Sequence, residues 1–138
     1  MKKQVLFSLL TTVLLMAAGS AYAQLGSGQG VRANVPFDYR VGNATMKAGN
    51  CSIQPAGAPN ALAIRCAGSE AKLALSRSVS GKTAMETKLV FHKYGEQYFL
   101  TQIWIEGENT GAQLPRTSTE NELMSKAEPD SVVILAQK

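Results

Sequence analysis

The chain has 138 residues, 14 Lys or Arg against 10 Asp or Glu, and a formal charge of +4. That length bounds a single domain with one core. Its cations are scattered singly, without the cluster that tracks phosphates, so no nucleic-acid partner is expected. One His and two Cys, with no CxxC pair, leave no metal site, and no cofactor is expected.

The start, MKKQVLFSLLTTVLLMAAGSAYAQ, carries Lys2 and Lys3, an apolar stretch from about Val5 to Ala18, and Ala21-Tyr22-Ala23. These are the three parts of a secretory signal peptide, with cleavage expected before Gln24. The apolar run is shorter than the roughly 20 residues of a spanning helix. No Cys follows it, so the start does not resemble a lipoprotein anchor, and no integral membrane segment is expected after cleavage. Removal of residues 1–23 leaves 138 − 23 = 115 residues and, without Lys2 and Lys3, a charge of 12 − 10 = +2. The expected destination is the periplasm or the medium. Residues 24–30, QLGSGQG, read as a flexible leader. Their Gly-x-Gly-x-Gly follows a cleavage site rather than a strand, which makes it negligible as a phosphate loop. Residues 31–138 read as one β-rich domain.

Val31 to Val41, VRANVPFDYRV, alternates throughout. Val31, Ala33, Val35, Phe37, Tyr39 and Val41 point one way and Arg32, Asn34, Pro36, Asp38 and Arg40 the other, as in a strand with one buried face. Pro36 has no N–H to donate, which places this strand at an edge or at a bulge. Gly42-Asn43 supplies a turn.

Export would deliver Cys51 and Cys66 to a compartment where disulfides persist; two buried free thiols are the alternative. Setting Cys51 opposite Cys66 in an antiparallel hairpin puts Ile53 opposite Ile64 and Pro55 opposite Leu62, all on the cysteine face. Ser52, Gln54, Ala63 and Arg65 then share the other face, with AGAPNA as the turn region. One register aligns the thiols and sorts the apolar residues, and a one-residue slip breaks both. A bridge needs Cα atoms within about 7 Å, and closing such a loop stabilises by roughly 3 kcal/mol in the chain-entropy model. Met46 and Ala48 have the opposite parity to Cys51 and Ile53, which predicts a bulge near Gly49.

Ala71 to Ser80 alternates again, with Leu73, Leu75 and Val79 expected inward against Lys72, Ser76 and Ser78. A helix capped by Ser69 would point Leu73 and Leu75 apart. Gly81-Lys82-Thr83 has Ser76 where a Walker loop needs Gly, and is rejected. LVFHKYGEQYFLTQIWIEG, Leu89 to Gly107, reads as a hairpin around Gly95-Glu96 with a type II′ turn. Pairing Tyr94 with Gln97 puts Phe91 opposite Leu100 and His92 opposite Phe99. Leu89, Phe91, Leu100 and Trp104 then share one face, and Val90, Phe99, Ile103 and Ile105 the other. Thr117-x-x-Glu120 and Thr119-x-x-Glu122 are capping-box spacings, and Pro129 is a stop, so a helix is expected over about 118–127. SVVILA, Ser131 to Ala136, is an apolar run best placed inside the sheet. The sum is a mainly all-β fold, a small antiparallel β-sandwich or partly closed barrel of about seven strands with one short C-terminal helix. An outer-membrane barrel has an even strand count and longer strands.

His92 as a general base needs a positioned partner. Asp38, Glu86 or Glu96 could supply one only by accident of the fold, and no nucleophile motif marks a triad. Glu106 and Glu108 flank Gly107 beside a turn, which reads as a solvated strand end rather than a glycosidase pair. Tyr94, Tyr98, Phe99 and Trp104 are candidates for stacking a sugar, but such aromatics are more often core and cross-strand pairs. No catalytic residue is assigned. His92, Tyr94, Tyr98 and Trp104 remain possible surface or ligand contacts. Trp104 and Phe91 are expected to be buried against Val31–Val41, and His92 to lack an acid and a hydroxyl both in reach.

NVPFDYRVGNATMKAGNCSI, LVFHKYGEQYFLTQIW and GAQLPRTSTENEL together resemble a family of small uncharacterised secreted proteins of soil bacteria. Its pattern runs VPFDF-VG, LPAG-Y-V, LVFH-YG-YFL-QIW and G-ELP-S-E-EL, and the resemblance covers most of Asn34 to Leu123. It implies no activity, substrate or catalytic residue. Here Met46-Lys47 replaces Leu-Pro and Cys51 replaces the aromatic, which makes the disulfide particular to this member. Two functions follow from the reading as a whole. One is a non-enzymatic envelope or secreted module binding an unknown protein partner, or none. The first is favoured because site chemistry is missing. The alternative, if the sheet closes like a lipocalin-type barrel, is a carrier of a small apolar ligand, which needs a cavity of about 300 Å³ or more.

Overall fold

A computed structural model describes residues 30–138; the expected signal peptide and all of the leader but Gly30 lie outside the described residues. Eleven strands and one helix follow in order: β1 (Val31–Val35), β2 (Tyr39–Val41), β3 (Ala44–Met46), β4 (Gly49–Ala56), β5 (Ala58–Cys66), β6 (Lys72–Leu75), β7 (Arg77–Ser80), β8 (Lys88–Tyr94), β9 (Gln97–Trp104), β10 (Thr110–Gln113), α1 (Ser118–Lys126) and β11 (Asp130–Leu135). They form a sandwich-like all-β fold without a closed barrel. One sheet has the order β1-β4-β5-β6. The other has the order β11-β8-β9-β10-β7, with the β2–β3 hairpin joined to β9 by a parallel pair, Arg40 with Phe99.

The chain passes between the sheets three times, and each passage explains a departure from the simple reading. The Val31–Val41 run is cut after Val35, where Pro36 ends edge strand β1 and Tyr39 opens β2 in the other sheet. Its inward parity survives the cut: Val31, Val35, Tyr39 and Val41 are all buried. The parity change near Gly49 is the second passage, from β3 to β4, rather than a bulge within one strand. Gly49 has φ +131 there, a conformation side chains rarely adopt. The third is Ser76, the single residue between β6 and β7. Because long alternating runs are divided this way, eleven shorter strands stand where about seven were expected.

The two hairpins carry the expected pairs. Cys51 is opposite Cys66, Ile53 opposite Ile64 and Pro55 opposite Leu62. Tyr94 is opposite Gln97, His92 opposite Phe99 and Phe91 opposite Leu100. Gly95 has φ +60 and, among the described residues, no non-glycine residue has a positive φ, the type II′ pattern. Past Phe91, however, a bulge leaves Thr101 without an opposite and pairs Val90 with Gln102. Ile103 therefore faces inward with Leu89, and Trp104 turns to the outer face.

Two further expectations are corrected. Leu73 and Leu75 are 78% and 63% exposed, and it is Ala74 that packs on the core. The register with β5 sets this, since Leu73 pairs with Ala63, whose neighbour Ile64 points inward. The apolar run of β11 is not interior to its sheet but terminal, paired with β8 alone. Val132 and Ile134 pack on the core while Val133 and Leu135 are largely exposed. Beyond Leu135, Gln137 and Arg32 exchange two backbone hydrogen bonds (2.7 and 2.8 Å), tying this edge to β1.

Candidate functional site

The disulfide forms as the register requires, with Cα atoms of Cys51 and Cys66 4.0 Å apart. Both residues are buried, and the Tyr39 hydroxyl lies 3.1 Å from Cys66 Sγ. Burial pushes the Tyr39 phenol up to about 12. This is a structural bridge inside the core.

His92 and Tyr94 are brought together on the outer face of the larger sheet, under α1. Their partner is Glu120, which the sequence marks only as a capping residue. Thr117 caps the helix, its Oγ1 accepting from the Glu120 N–H at 3.1 Å. The Glu120 carboxylate does not reach back to complete a capping box. It accepts from the Tyr94 hydroxyl at 3.3 Å and lies 3.4 Å from His92 Nδ1, at 3% exposure. Burial first, then the charge and hydrogen bond of Glu120, raise the Tyr94 phenol, against a lowering by Arg116. An acid, Glu120, is thus in reach of His92, while the Tyr94 hydroxyl bonds to that acid and not to the imidazole. The three side chains pin the helix to the sheet. Asp38, one of the acids considered for His92, instead accepts from the Ala48 N–H at 2.8 Å and pairs with Lys47.

Tyr98 and Trp104 lie elsewhere. Tyr98 stacks on Phe37 with ring centroids 3.7 Å apart, and Lys93 Nζ stands 5.5 Å from its ring. Trp104 is only half-buried and packs across Gly111 and Gly81, where an added Cβ would come within 2.8 and 2.7 Å of the indole. Its Nε1–H donates to Gln102 Oε1 at 3.0 Å. Phe91, by contrast, is wholly buried and meets Phe37 and Tyr39 edge-on. Glu106 and Glu108 are exposed beside the Gly107 turn.

Hollows open on the surface of the described residues. One, about 1050 Å³, lies over the outer face of the smaller sheet, along the polar row Arg32, Ser52 and Arg65. A second, about 570 Å³, enters the space between the sheets. Val31, Ile53, Pro55 and Leu62 line it from one sheet and Ile103, Ile105 and Ala112 from the other, with Asn60, Ser78, Glu108 and Thr110 at its polar positions. A third, about 460 Å³, adjoins it across Ser76 and Arg77 and is walled by Leu75, Leu114, Pro115 and Arg116. The sequence could not mark the inter-sheet cavity, because its walls are ordinary alternating strand residues that turn inward where no large ring fills the gap. No family model matches the chain, and neither the curated proteins nor the solved structures include a match to it.

Proposed function

We propose that this chain is an exported, non-enzymatic binding module that holds a small, mainly apolar molecule between its two sheets. The cavity between Ile53, Leu62, Ile103 and Ile105 carries the reading. At about 570 Å³ it falls in the roughly 300–1,000 Å³ range of small-molecule sites, and its walls are mostly apolar with a few polar groups, as such sites require. Export rests on the charged, apolar and Ala-x-Ala start, and the Cys51–Cys66 bridge supports it as a bond that persists in oxidising compartments. No helix of the described residues is long and apolar enough to cross a membrane. The absence of catalysis is part of the proposal, supported by the use of Glu120, His92 and Tyr94 in fastening α1.

The test is a titration with N-phenyl-1-naphthylamine, a neutral apolar fluorophore. Saturable binding with a Kd of about 1–100 μM is expected. Ala112→Phe, which places a ring inside the cavity, should weaken it at least about tenfold while the protein stays folded. No saturable binding by the native protein would reject the reading.

A second reading, a protein-interaction module joined by strand addition, is favoured by one observation. Edge strand β6 presents Leu73 and Leu75 to solvent, the kind of edge that takes an extra strand. Leu73→Lys should abolish such an interaction and leave fluorophore binding unchanged.

A further inference from the structure

Resting on the cavity reading, we infer a narrower ligand class: an aliphatic carboxylate, its chain between the sheets and its head group on Arg77 and Arg116. The seam between β6 and β7 carries the inference. Ser76 and Arg77 line both the inter-sheet cavity and the adjoining pocket and form their common border. The cavity offers apolar walls. The adjoining pocket is lined by two arginines, Arg77 and Arg116, beside Leu75, Leu114 and Pro115.

Neither arginine is held in an ion pair, although Arg116 lies close enough to Tyr94 to act on its phenol. Among the described residues the ion pairs are Asp38 with Lys47, Glu70 with Lys72 and Glu120 with His92. Arg77 and Arg116 enter none of them. A guanidinium offers a planar fork of donors that fits a carboxylate with two parallel hydrogen bonds. Arg77 stands opposite Gln113 in the β7–β10 pair, three residues before Arg116 in the chain, so the two arginines lie at the same end of that pair. The acid at the cavity is Glu108, on the exposed turn that follows β9. It repels a carboxylate from its own side and so favours the orientation with the head at Arg77. Two arginines line the adjoining pocket and one acid lines the cavity, which gives the pair of hollows a polar direction.

The experiment uses the disulfide-bonded protein, with decanoate and decanol as probes in isothermal titration at low and high salt. Decanoate should bind about tenfold more tightly than decanol at low salt. That advantage should shrink as salt screens the exposed arginines, with decanol unaffected. Arg77→Gln and Arg116→Gln should each weaken decanoate about three- to tenfold without changing decanol. The double variant should bind both alike, and Arg77→Lys should recover part of the loss. Circular dichroism checks the fold of each variant, and the salt dependence of the native protein decides the matter if a variant unfolds. Equal binding of the two probes by the native protein, unmoved by either Gln variant, overturns the head-group assignment and leaves the cavity reading standing. Binding of neither probe removes both. Preference for decyl phosphate over decanoate overturns the choice of carboxylate.

Discussion

The two ends of the space between the sheets are filled differently. At one end Phe37 stacks on Tyr98, and Phe91 receives the edges of Phe37 and Tyr39 at 5.0 and 5.1 Å. At the other end Val31, Ile53, Leu62, Ile103 and Ile105 surround the cavity. Strands of the same two sheets run through both ends, so the difference lies in side-chain volume. Each aromatic ring buries roughly 150–250 Å² and can bridge the gap alone; branched aliphatic residues cannot. Pro55 and Pro59 border the open end, where they cannot donate to the ladder, and the β4–β5 pairing is irregular beside Pro55. The division places stability at the ring-filled end and leaves the other end free to bind.

Truncation at each end is the most direct way to break that comparison. Phe91→Ala should cost about 3–5 kcal/mol, the range for emptying an aromatic site in a packed core. Ile105→Ala, a partly buried residue beside an existing hollow, should cost about 1–2 kcal/mol. Urea midpoints at unchanged slope measure both, and equal losses would mean that the two ends are packed alike. The bridge belongs to the ring-filled half, since Tyr39 rests on Cys66. Cys51→Ala with Cys66→Ala should cost about 3 kcal/mol for its 15-residue separation. A loss below about 1 kcal/mol would show that ring packing alone holds the closed end.

Legibility in the sequence follows the same division. The disulfide hairpin was readable because two constraints, thiol pairing and apolar parity, selected one register. The Tyr94–Gln97 turn was readable because Gly95 is the residue that a positive φ requires. What escaped was whatever depends on contacts made far along the chain. The Thr101 bulge reverses Trp104 without any local mark, since Thr is an ordinary strand residue. Leu73 and Leu75 alternate as well when exposed as when buried, and only their pairing with β5 fixes the direction. Glu120 announces its helix start but not the two side chains it meets from another sheet strand. The cavity is the hardest to read, being the absence of a ring rather than the presence of a motif.

Alkaline pH sharpens the role of Tyr39. Its phenol ionises at about 12 in the folded protein and at 10.0 when unperturbed. Between these values the unfolded chain binds fewer protons than the native one, so stability falls as pH rises from about 10 to about 12. The loss approaches about 2–3 kcal/mol for one group at two units. Tyr94, raised in the same sense, adds to the fall. Tyr39→Phe should flatten the dependence of the urea midpoint over that window. A native protein with a constant midpoint from pH 9 to pH 11.5 would refute the buried phenol.

The smallest effect expected is at His92, and it separates a fastening from a site. Glu120→Ala should cost about 1–3 kcal/mol, because it strands the Tyr94 hydroxyl at a buried position. His92→Ala should cost about 0.5–1 kcal/mol. Its side chain is 25% exposed, its contact with Glu120 is long at 3.4 Å, and the Tyr94 hydroxyl stays on the same oxygen after its removal. The cap from Thr117 is untouched as well, so α1 keeps its start. Binding of N-phenyl-1-naphthylamine and of decanoate should be unchanged, since His92 lines neither the cavity nor the arginine pocket. A His92→Ala protein that remains folded but loses tenfold in either affinity would move the binding site to the helix face of the larger sheet.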